Sequence, residues 1–570
     1  MMGILSKATF NLLYRDQRKK IARFHRNTTP DSVLSDLHTC LVREAITPIT
    51  PQAVFYASSI QDSPQEQPYW TKKSFKNHLA RTHPDTDIPD VAINVLWSCF
   101  YFYAYYPFPL PGAADKKLEL PAFERGLILL SLQGTRLLGV LDCELGRSWG
   151  RYKELCNCRF RVNRIFRSIS PVNRQSSSDP QVAGFESCIT DDVIDAIFPI
   201  FPFHPLLCPS LEQLKPLSER LVQGRTDQYQ TKVNDLAALL CLVMRLEVHK
   251  VTWGRDFHYA SFEESSPEKE ELADILARSF CRGLDEYLPP DLVVRGLDIL
   301  PNLEQSFHQL WATIFQPCTS TGIPNLETVT SPDTTMDGIL RSVSLFIPPF
   351  EAHKRDETAR KVKMITFQKY YDTTFQGSTD SLDLGHILSP ISHDNPNRQS
   401  HLVLFLGHQA QDSTRVVVGA FFPSCPPTPA AKEEKEPEKP GNSRIALPRL
   451  LFQLQPSFSL FRWNGEDDMS SSQAYNSATW HTDHPDCIGD SKRSRVGVKI
   501  DPVTRQATFL RGTATAANRM SGGYEEVTRK YPGTESIDGD QQEPKTDFTV
   551  TRIATFNVEG GPDYNIEKPW

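Results

Sequence analysis

The feature that most constrains the fold of this chain is a change in the spacing of its apolar residues near residue 337. Before this point, apolar side chains recur at the three-to-four-residue interval of helices; after it, they occur in the short runs of strands. A chain with its helices first and its strands afterwards does not form alternating βαβ units. The sequence therefore predicts a multidomain α+β protein, with a helical N-terminal half followed by antiparallel strands.

Four segments of the first half carry helix signals. Ser266 and Pro267 form an N-cap and first-turn pair, and Asn302 starts another helix. Residues 236–246 are apolar nearly all round, which is typical of a core helix. The run at 91–106 is too short to cross a bilayer and ends in prolines, so we expect a buried helix there too.

After residue 337 the sequence predicts a series of short strands. These are expected at 344–347, 403–406, 416–422, 450–454, 458–463, 496–500, 508–510 and 548–558. The segment LLFQLQPSFSLFRW, 450–463, has period two and is interrupted by Pro456, so we predict a hairpin with one face more buried. Because the run holds no nucleophile, base or metal ligand, we interpret it as core.

Length and composition set the outline of the domains. A chain of 570 residues is too long for one core. We predict a helical region at 1–168 with a basic amphipathic start, a linker or long loop at 169–184, a second helical region at 185–335 and a β domain at 337–565. The last contains a disordered Pro- and Glu-rich insertion at 426–441.

The charge and the cysteines indicate the class of protein. A net charge of -7 gives no overall attraction to nucleic acid or to an anionic membrane. Twelve scattered cysteines, without a signal-peptide h-region, indicate a cytosolic chain with reduced thiols. The sequence contains no GxxxxGK[ST], HExxH or GxSxG motif, so little supports an enzyme, and no cofactor is expected.

Five segments in order resemble the TLDc domain of the oxidation-resistance proteins. They are IPP at 347–349, HLVLFLGHQAQDSTRVVVGAFFP at 401–423, LLFQLQPSFSLFRW at 450–463, SGGYEE at 521–526 and FTVTRIATFNV at 548–558. The helical half before them is similar to the fungal restriction-of-telomere-capping type. Two positions depart from the family pattern: Ala554 stands where a glutamate is usual, and Val418 stands where an aromatic residue is usual.

The resemblance implies both a fold and a function. It implies a TLDc-like antiparallel β-sandwich with the hairpin at 450–463 in its middle. It also implies a non-enzymatic protein that binds the vacuolar proton-pumping ATPase, promotes its disassembly and contributes to oxidative-stress resistance. Such a protein is cytoplasmic, with peripheral attachment at the vacuolar membrane. We expect the turn formed by Ser521, Gly522, Gly523, Tyr524 and Glu525 to be the partner contact.

A metal-assisted hydrolase is an alternative from another class of protein. His481, His484 and Cys487 are soft ligands of the type that zinc prefers. Pro485 prevents a regular helix that would align them, and no distant fourth ligand is evident. An exposed loop without metal is the competing interpretation.

A telomere-linked nucleic-acid factor is a further alternative. The segment RFRVNRIFR, 159–167, interleaves basic and aromatic residues, as nucleic-acid-binding patches do. Arg161 and Arg164 would then contact phosphates. The competing interpretation is a solvated basic face, and we expect no nucleic-acid partner.

The N-terminal segment at 4–26 combines seven Lys or Arg residues with several apolar ones. A basic amphipathic helix of this kind lies on an anionic membrane surface or docks onto a partner. The residues that we expect at a membrane surface are Ile4, Leu5, Leu12, Lys19, Lys20, Ile21 and Phe24.

Overall fold

The fold is described from a computed structural model of the chain. The residues described are 2–44, 49–109, 116–131, 138, 164–170, 172–173, 189–202, 211–223, 228–253, 257–281, 286–288, 293, 296–317, 336–348, 350–351, 362–363, 365–375, 382, 384–388, 399–409, 411–423, 448–464, 487–490, 496–512, 523–528 and 545–560. The predicted insertion at 426–441 lies outside these residues, as does most of the predicted linker.

Helices dominate the described part of the first half. In chain order the elements are α1 (Met2–Asn27), α2 (Pro30–Glu44), α3 (Pro51–Ser58), α4 (Lys72–Thr82), α5 (Asp90–Ala104), α6 (Leu120–Ser131), β1 (Val172–Asn173), α7 (Ile189–Ile197), the 3-10 turn Phe198–Ile200, α8 (Leu211–Val222), β2 (Gln228–Tyr229), α9 (Val233–Met244), β3 (Leu246–Trp253), β4 (Phe257–Phe262), α10 (Pro267–Arg278), α11 (Gly296–Ile299), α12 (Leu303–Ile314) and α13 (Asp337–Phe346).

Strands dominate the described part of the second half. The elements continue with β5 (Phe350–Glu351), β6 (Val362–Lys363), β7 (Ile365–Thr374), α14 (Leu384–Leu388), β8 (Ser400–His408), β9 (Arg415–Phe422), β10 (Leu450–Gln455), β11 (Ser459–Asn464), β12 (Cys487–Asp490), β13 (Val496–Ile500), β14 (Gln506–Arg511), β15 (Gly523–Glu526) and β16 (Lys545–Gly560).

The predicted helix starts are confirmed, with one difference in local chemistry. Ser266 caps α10, since its Oγ accepts the backbone N–H of Lys269 at 3.3 Å. Asn302 precedes α12, but its side-chain amide donates to the carbonyls of Ser344 and Ile347, each at 2.8 Å. Asn302 therefore ties α12 to the end of α13 instead of capping its own helix.

The strand predicted at 344–347 is wrong. Residues 337–346 form α13, because Ile339, Leu340, Val343 and Phe346 recur at helical spacing and bury one face of the helix. The other seven predicted strands are confirmed as parts of β8, β9, β10, β11, β13, β14 and β16. The sequence analysis missed β7, β12, β15 and the hairpin β3–β4 inside the helical half.

Ten of the described strands form one antiparallel sheet. Its order is β12-β13-β14-β16-β8-β9-β10-β11-β15, and β7 also pairs with β16. The first residues of β16 pair with β14, and the later ones pair with β8 on one side and β7 on the other. The ladders shift between Val550 and Arg552 and between Thr555 and Phe556, as at β-bulges that bend a strand.

The sheet has two parts, one on each side of β16 in the strand order: β12, β13 and β14 form one part, and β8, β9, β10, β11 and β15 form the other. These two parts face one another. The ring of Phe461 in β11 lies 5.7 Å from the ring of Phe509 in β14, at an angle of 71°. The resemblance implied a sandwich of separate sheets. The structure has one continuous sheet that turns back on itself, so the coarser prediction, helices first and then antiparallel strands, is the part that is confirmed.

Both faces of the central strands are covered. Leu450, Phe452 and Leu454 of β10 join the core that the helices also form, whereas Leu451 lies in a second core between the two parts of the sheet. All six residues of β10 are buried. The hairpin prediction is confirmed, but the expectation of one face being more exposed is wrong.

The helices and the sheet are packed together. The ring of Phe346 at the end of α13 lies 4.8 Å from that of Phe452. Polar contacts surround this apolar junction: Arg415 pairs with Glu268 at 2.7 Å, and the amide of Gln455 donates to Glu271 at 2.9 Å. One core therefore extends across the boundary that the sequence predicted near residue 337.

Candidate functional site

The predicted partner contact at 521–525 lies on an edge of the sheet. Gly523, Tyr524 and Glu525 belong to β15, and Ser521 and Gly522 are outside the described residues. β15 pairs with β11 on one side, and no described strand pairs with its other side. An open strand edge can accept an added strand from a partner.

Within β15 the two central side chains have different roles. Tyr524 is buried, its hydroxyl donates to the carbonyl of Pro448 at 2.6 Å, and its ring lies 5.2 Å from that of Trp463. Tyr524 therefore holds the edge in place and does not face a partner. Glu525 is exposed, directly across the ladder from Arg462, and is the residue available for contact.

The ends of β15 and β11 are fixed by further contacts. The backbone N–H of Val527 donates to the carbonyl of Leu460 at 2.7 Å, and Thr528 Oγ1 accepts the N–H of Leu460 at 3.1 Å. Arg462 Nη2 donates to the carbonyl of Asp298 in the helical half at 2.7 Å. The edge is therefore supported from both halves of the protein.

The predicted membrane-surface residues divide into two groups in α1. Lys19 and Lys20 are exposed, whereas Ile21 and Phe24 are partly buried against the core of the helical half. The ring of Phe24 lies 5.2 Å from that of Phe201. The side chains of Ile4, Leu5 and Leu12 lie outside what the structure describes. Within the described residues, the apolar side of this helix faces protein.

Of the two arginines predicted to contact phosphates, Arg164 lies in a buried ionic cluster with Arg167, and Arg161 is outside the described residues. Arg164 pairs with Asp195 at 2.7 Å, and Arg167 pairs with both carboxylate oxygens of Asp192. The hydroxyl of Tyr106 donates to Asp192 at 3.0 Å and to Asp195 at 3.2 Å. Both the nucleic-acid patch and the solvated face are therefore wrong for Arg164 and Arg167, since neither guanidinium reaches solvent.

The electrostatics of this cluster keep Arg164 charged and Tyr106 protonated. Burial by itself lowers the pKa of the Arg164 guanidinium, but the neighbouring carboxylates of Asp195 and Asp192 favour its charge, and the pKa is raised. Burial likewise raises the pKa of the Tyr106 hydroxyl, which stays protonated and able to donate. The cluster thus consists of buried ion pairs that join the turn at 164–168 to α7.

A second ionic network lies where the helices meet the sheet. Arg341 Nη2 donates to Glu263 at 2.6 Å and its Nε donates to Asp337 at 2.8 Å, while Lys269 pairs with Asp337 at 2.8 Å and also with Glu263. A cleft of about 70 Å³ adjoins it, and Phe367 of β7 lines the other side. This volume suits a few water molecules, not a metabolite.

Of the three residues in the hydrolase alternative, the structure describes only Cys487. Cys487 is the first residue of β12, where it is buried and lies opposite Lys499. His481 and His484 are outside the described residues, so their arrangement with Cys487 stays a prediction. Among the described residues, no group of three or more His, Cys, Asp or Glu side chains is placed to hold a metal ion.

Sequence reasoning missed the acidic half of the buried cluster. The signal was present, because Arg164 and Arg167 are three residues apart, as are Asp192 and Asp195, so each pair projects from one side of its helical turn. Matched spacing of opposite charges in apolar surroundings indicates such a pairing. The paired residues are 25 to 31 positions apart in the chain, so the sequence alone does not show that they meet.

No helix in the described part of the chain is both long enough and apolar enough to span a bilayer. No protein-family model matches the chain, and no curated protein matches it either.

Proposed function

We propose that this chain is a non-enzymatic regulatory protein of the TLDc type that binds the vacuolar proton-pumping ATPase and promotes its disassembly. One observation carries the proposal. Four of the five sequence segments that resemble the TLDc domain lie on β16, β8, β9, β10, β11 and β15, which are six consecutive neighbours in the sheet. Segments far apart in sequence therefore build one continuous block of the sheet.

The arrangement of this block also favours binding over chemistry in the proposed role. Its two faces are occupied by core residues, so the surface offered to a partner is the edge at β15 and the loops around it. To promote disassembly, the protein must bind the separated cytosolic sector of the pump more tightly than the assembled pump. A link to oxidative-stress resistance follows from the same resemblance.

An affinity pull-down with the full chain tests the proposal. The full chain is needed because residues of the helical half cover one face of the sheet, and a fragment beginning at residue 337 would expose that face. We expect recovery of subunits of the cytosolic pump sector, and greater recovery from dissociated than from assembled pump. Failure to recover any pump subunit would remove the proposal.

A charge reversal at the sheet edge locates the contact. Glu525→Lys changes an exposed side chain of β15, and Glu66→Lys is a matched reversal at an exposed position of the helical half. We expect Glu525→Lys to weaken pump recovery by at least about tenfold, in the range of desolvated charged contacts, and Glu66→Lys to leave it unchanged. Equal recovery by both variants would place the contact elsewhere.

A further inference from the structure

The inward face of α1 is fixed by contacts with the helical half. Ile21 and Phe24 are partly buried, and the ring of Phe24 meets that of Phe201 edge-on at 5.2 Å. One turn earlier, the amide of Gln17 donates to the carbonyl of Pro202. These positions are spaced at four and three residues, so they follow one side of the helix. Among the side chains of α1 that the structure describes, residues 15–27, the apolar side is consequently engaged with protein.

The end of α1 is held by an arginine from another helix. Arg220 of α8 donates through Nη2 to the carbonyl of His25 at 2.6 Å and to that of Thr28 at 3.1 Å. These carbonyls lie at the C-terminal end of α1, where a cation also complements the helix dipole. The helix is therefore held in one rotational orientation about its axis.

The opposite side of α1 carries a row of cations, which we call the basic stripe: Arg15, Lys19, Arg23 and Arg26. All four side chains are exposed, and their spacing of four, four and three residues places them along one line. At 1.5 Å per residue the stripe is about 17 Å long. Its charge stands out against a chain with a net charge of -7.

The one acidic residue in this part of the helix does little to neutralise the stripe. Asp16 is paired with Lys20 at 3.3 Å on the exposed surface, and neither belongs to the stripe. Exposed ion pairs of this kind contribute little and are screened by salt. The positive potential of the four stripe residues is therefore left for a partner.

The chemistry of the stripe indicates which partner it fits. A reader of single-stranded nucleic acid needs aromatic rings for stacking, but the aromatic residue of this segment, Phe24, is turned toward Phe201. A protein interface needs a buried apolar anchor, and the exposed residues between 15 and 26 are charged apart from Ala22. A plane of negative lipid headgroups needs only accessible cations.

We propose that the basic stripe binds the surface of anionic phospholipid bilayers by electrostatic attraction, without insertion of Ile21 and Phe24. This differs from the amphipathic insertion expected from the sequence, because Ile21 and Phe24, two of the apolar residues of that expectation, are packed inward. Each cation near an anionic surface contributes roughly a fivefold gain in binding. Loss of three should therefore weaken binding on the order of 100-fold.

Vesicle co-sedimentation of the purified full chain tests the proposal. The probes are vesicles of phosphatidylcholine alone and vesicles with about one third phosphatidylserine, a composition with a strong negative surface potential. The test variant is Arg15→Gln/Lys19→Gln/Arg23→Gln. The matched control, Lys73→Gln/Lys215→Gln/Lys499→Gln, removes the same charge from exposed positions elsewhere. Glutamine keeps helix propensity, and circular dichroism checks folding.

We expect binding to the anionic vesicles alone, a steep decrease as salt rises from about 0.05 M to about 0.5 M, loss in the stripe variant and retention in the control. Absence of binding, equal binding to neutral vesicles, or equal losses in both variants would overturn the proposal. So would salt-sensitive binding to duplex DNA that exceeds vesicle binding. The vesicles contain no pump, so the result is independent of the proposed function.

Discussion

Arg164 and Asp195 form a 2.7 Å ion pair in which both side chains are almost completely excluded from solvent. The pair joins a short helical turn to α7, two segments that are 31 residues apart in the chain. Its geometry is completed by Tyr106, whose hydroxyl donates to the same carboxylate at 3.2 Å. A charge pair buried this deeply contributes through the cost of leaving either partner alone.

Removal of one carboxylate from this cluster should destabilise the protein strongly. In Asp195→Asn, the Arg164 guanidinium loses the nearer of two anionic partners in the interior and keeps only Asp192, at 3.7 Å, which costs about 3–5 kcal/mol of the free energy of unfolding. Urea denaturation at neutral pH measures the loss.

A matched control lies on the same helix. Burial raises the pKa of the half-buried Asp191 carboxyl, so the fold disfavours its charge. We therefore expect Asp191→Asn to leave the free energy of unfolding unchanged or to increase it. Equal losses in the two variants would show that the ion pair is not the cause.

The stability of the helical half should fall in mild acid because of His78. Burial lowers the pKa of this histidine to about 4, from 6.5 in the unfolded chain. Its Nε2 lies 3.0 Å from the carbonyl of Ile314 and its Nδ1 faces the Arg81 guanidinium at 3.3 Å, so a second ring proton would oppose a cation.

The sign of this pH dependence follows from the lowered pKa. Between pH 6.5 and about 4 the unfolded state binds the proton and the folded state does not, so stability is complete above 6.5 and is lost as the pH falls. The loss from His78 is about 3 kcal/mol. Urea denaturation across this pH range should show that the free energy of unfolding changes less steeply with pH in His78→Gln than in the unsubstituted protein. A residual slope is expected because burial also lowers the pKa of His83, whereas identical slopes would contradict the prediction.

Gly419 in β9 should not tolerate a methyl group. A Cβ at this position would lie 2.3 Å from the ring of Phe452, which packs directly over the glycine in the neighbouring strand. We expect Gly419→Ala to lower the free energy of unfolding by about 1–3 kcal/mol through overpacking. The close packing of Phe452 thus gives a steric reason for a glycine at position 419.

The same substitution in α13 is the control. At Gly338 a Cβ would come no closer than 3.4 Å to its neighbours, and alanine favours the helix. We expect Gly338→Ala to be neutral or slightly stabilising in the same denaturation experiment. A loss at Gly338 that matches the loss at Gly419 would exclude the steric explanation.

Ala554 should not accept a glutamate, the residue that the proposed TLDc assignment would lead us to expect at this position. The residue is fully buried in the core shared by helices and sheet, between Leu404 of β8 and Asp372 of β7. A carboxylate there would lose its hydration beside another acid, so we expect Ala554→Glu to cost at least about 3 kcal/mol or to prevent folding. Tyr370→Glu, at an exposed position of β7, should be tolerated, and thermal unfolding compares the two.

The candidate contact at the sheet edge was only partly predictable. The sequence placed Tyr524 and Glu525 together in a turn, since two glycines precede them. The structure pairs them with β11 and separates their roles, because alternate side chains of a strand point to opposite faces. A pattern of six residues could not indicate which face would be buried.

Local chemistry let the sequence by itself determine where several of the helices and strands lie. The cap at Ser266, the helical spacing around Phe307 and the period-two runs of β10 and β13 are signals that neighbouring residues carry. These interactions act within a few residues of one another, so they are present in the sequence before any tertiary contact forms.

Only the tertiary structure decided what those elements contact. It packed Phe24 against Phe201, placed Arg164 beside Asp195, and bent β16 so that one open sheet folds back over itself. Each outcome depends on residues far apart in the chain whose burial is favourable only when they meet. The charge and hydrophobicity of a side chain determine which kind of partner it requires when it is buried. Packing determines which residue becomes that partner.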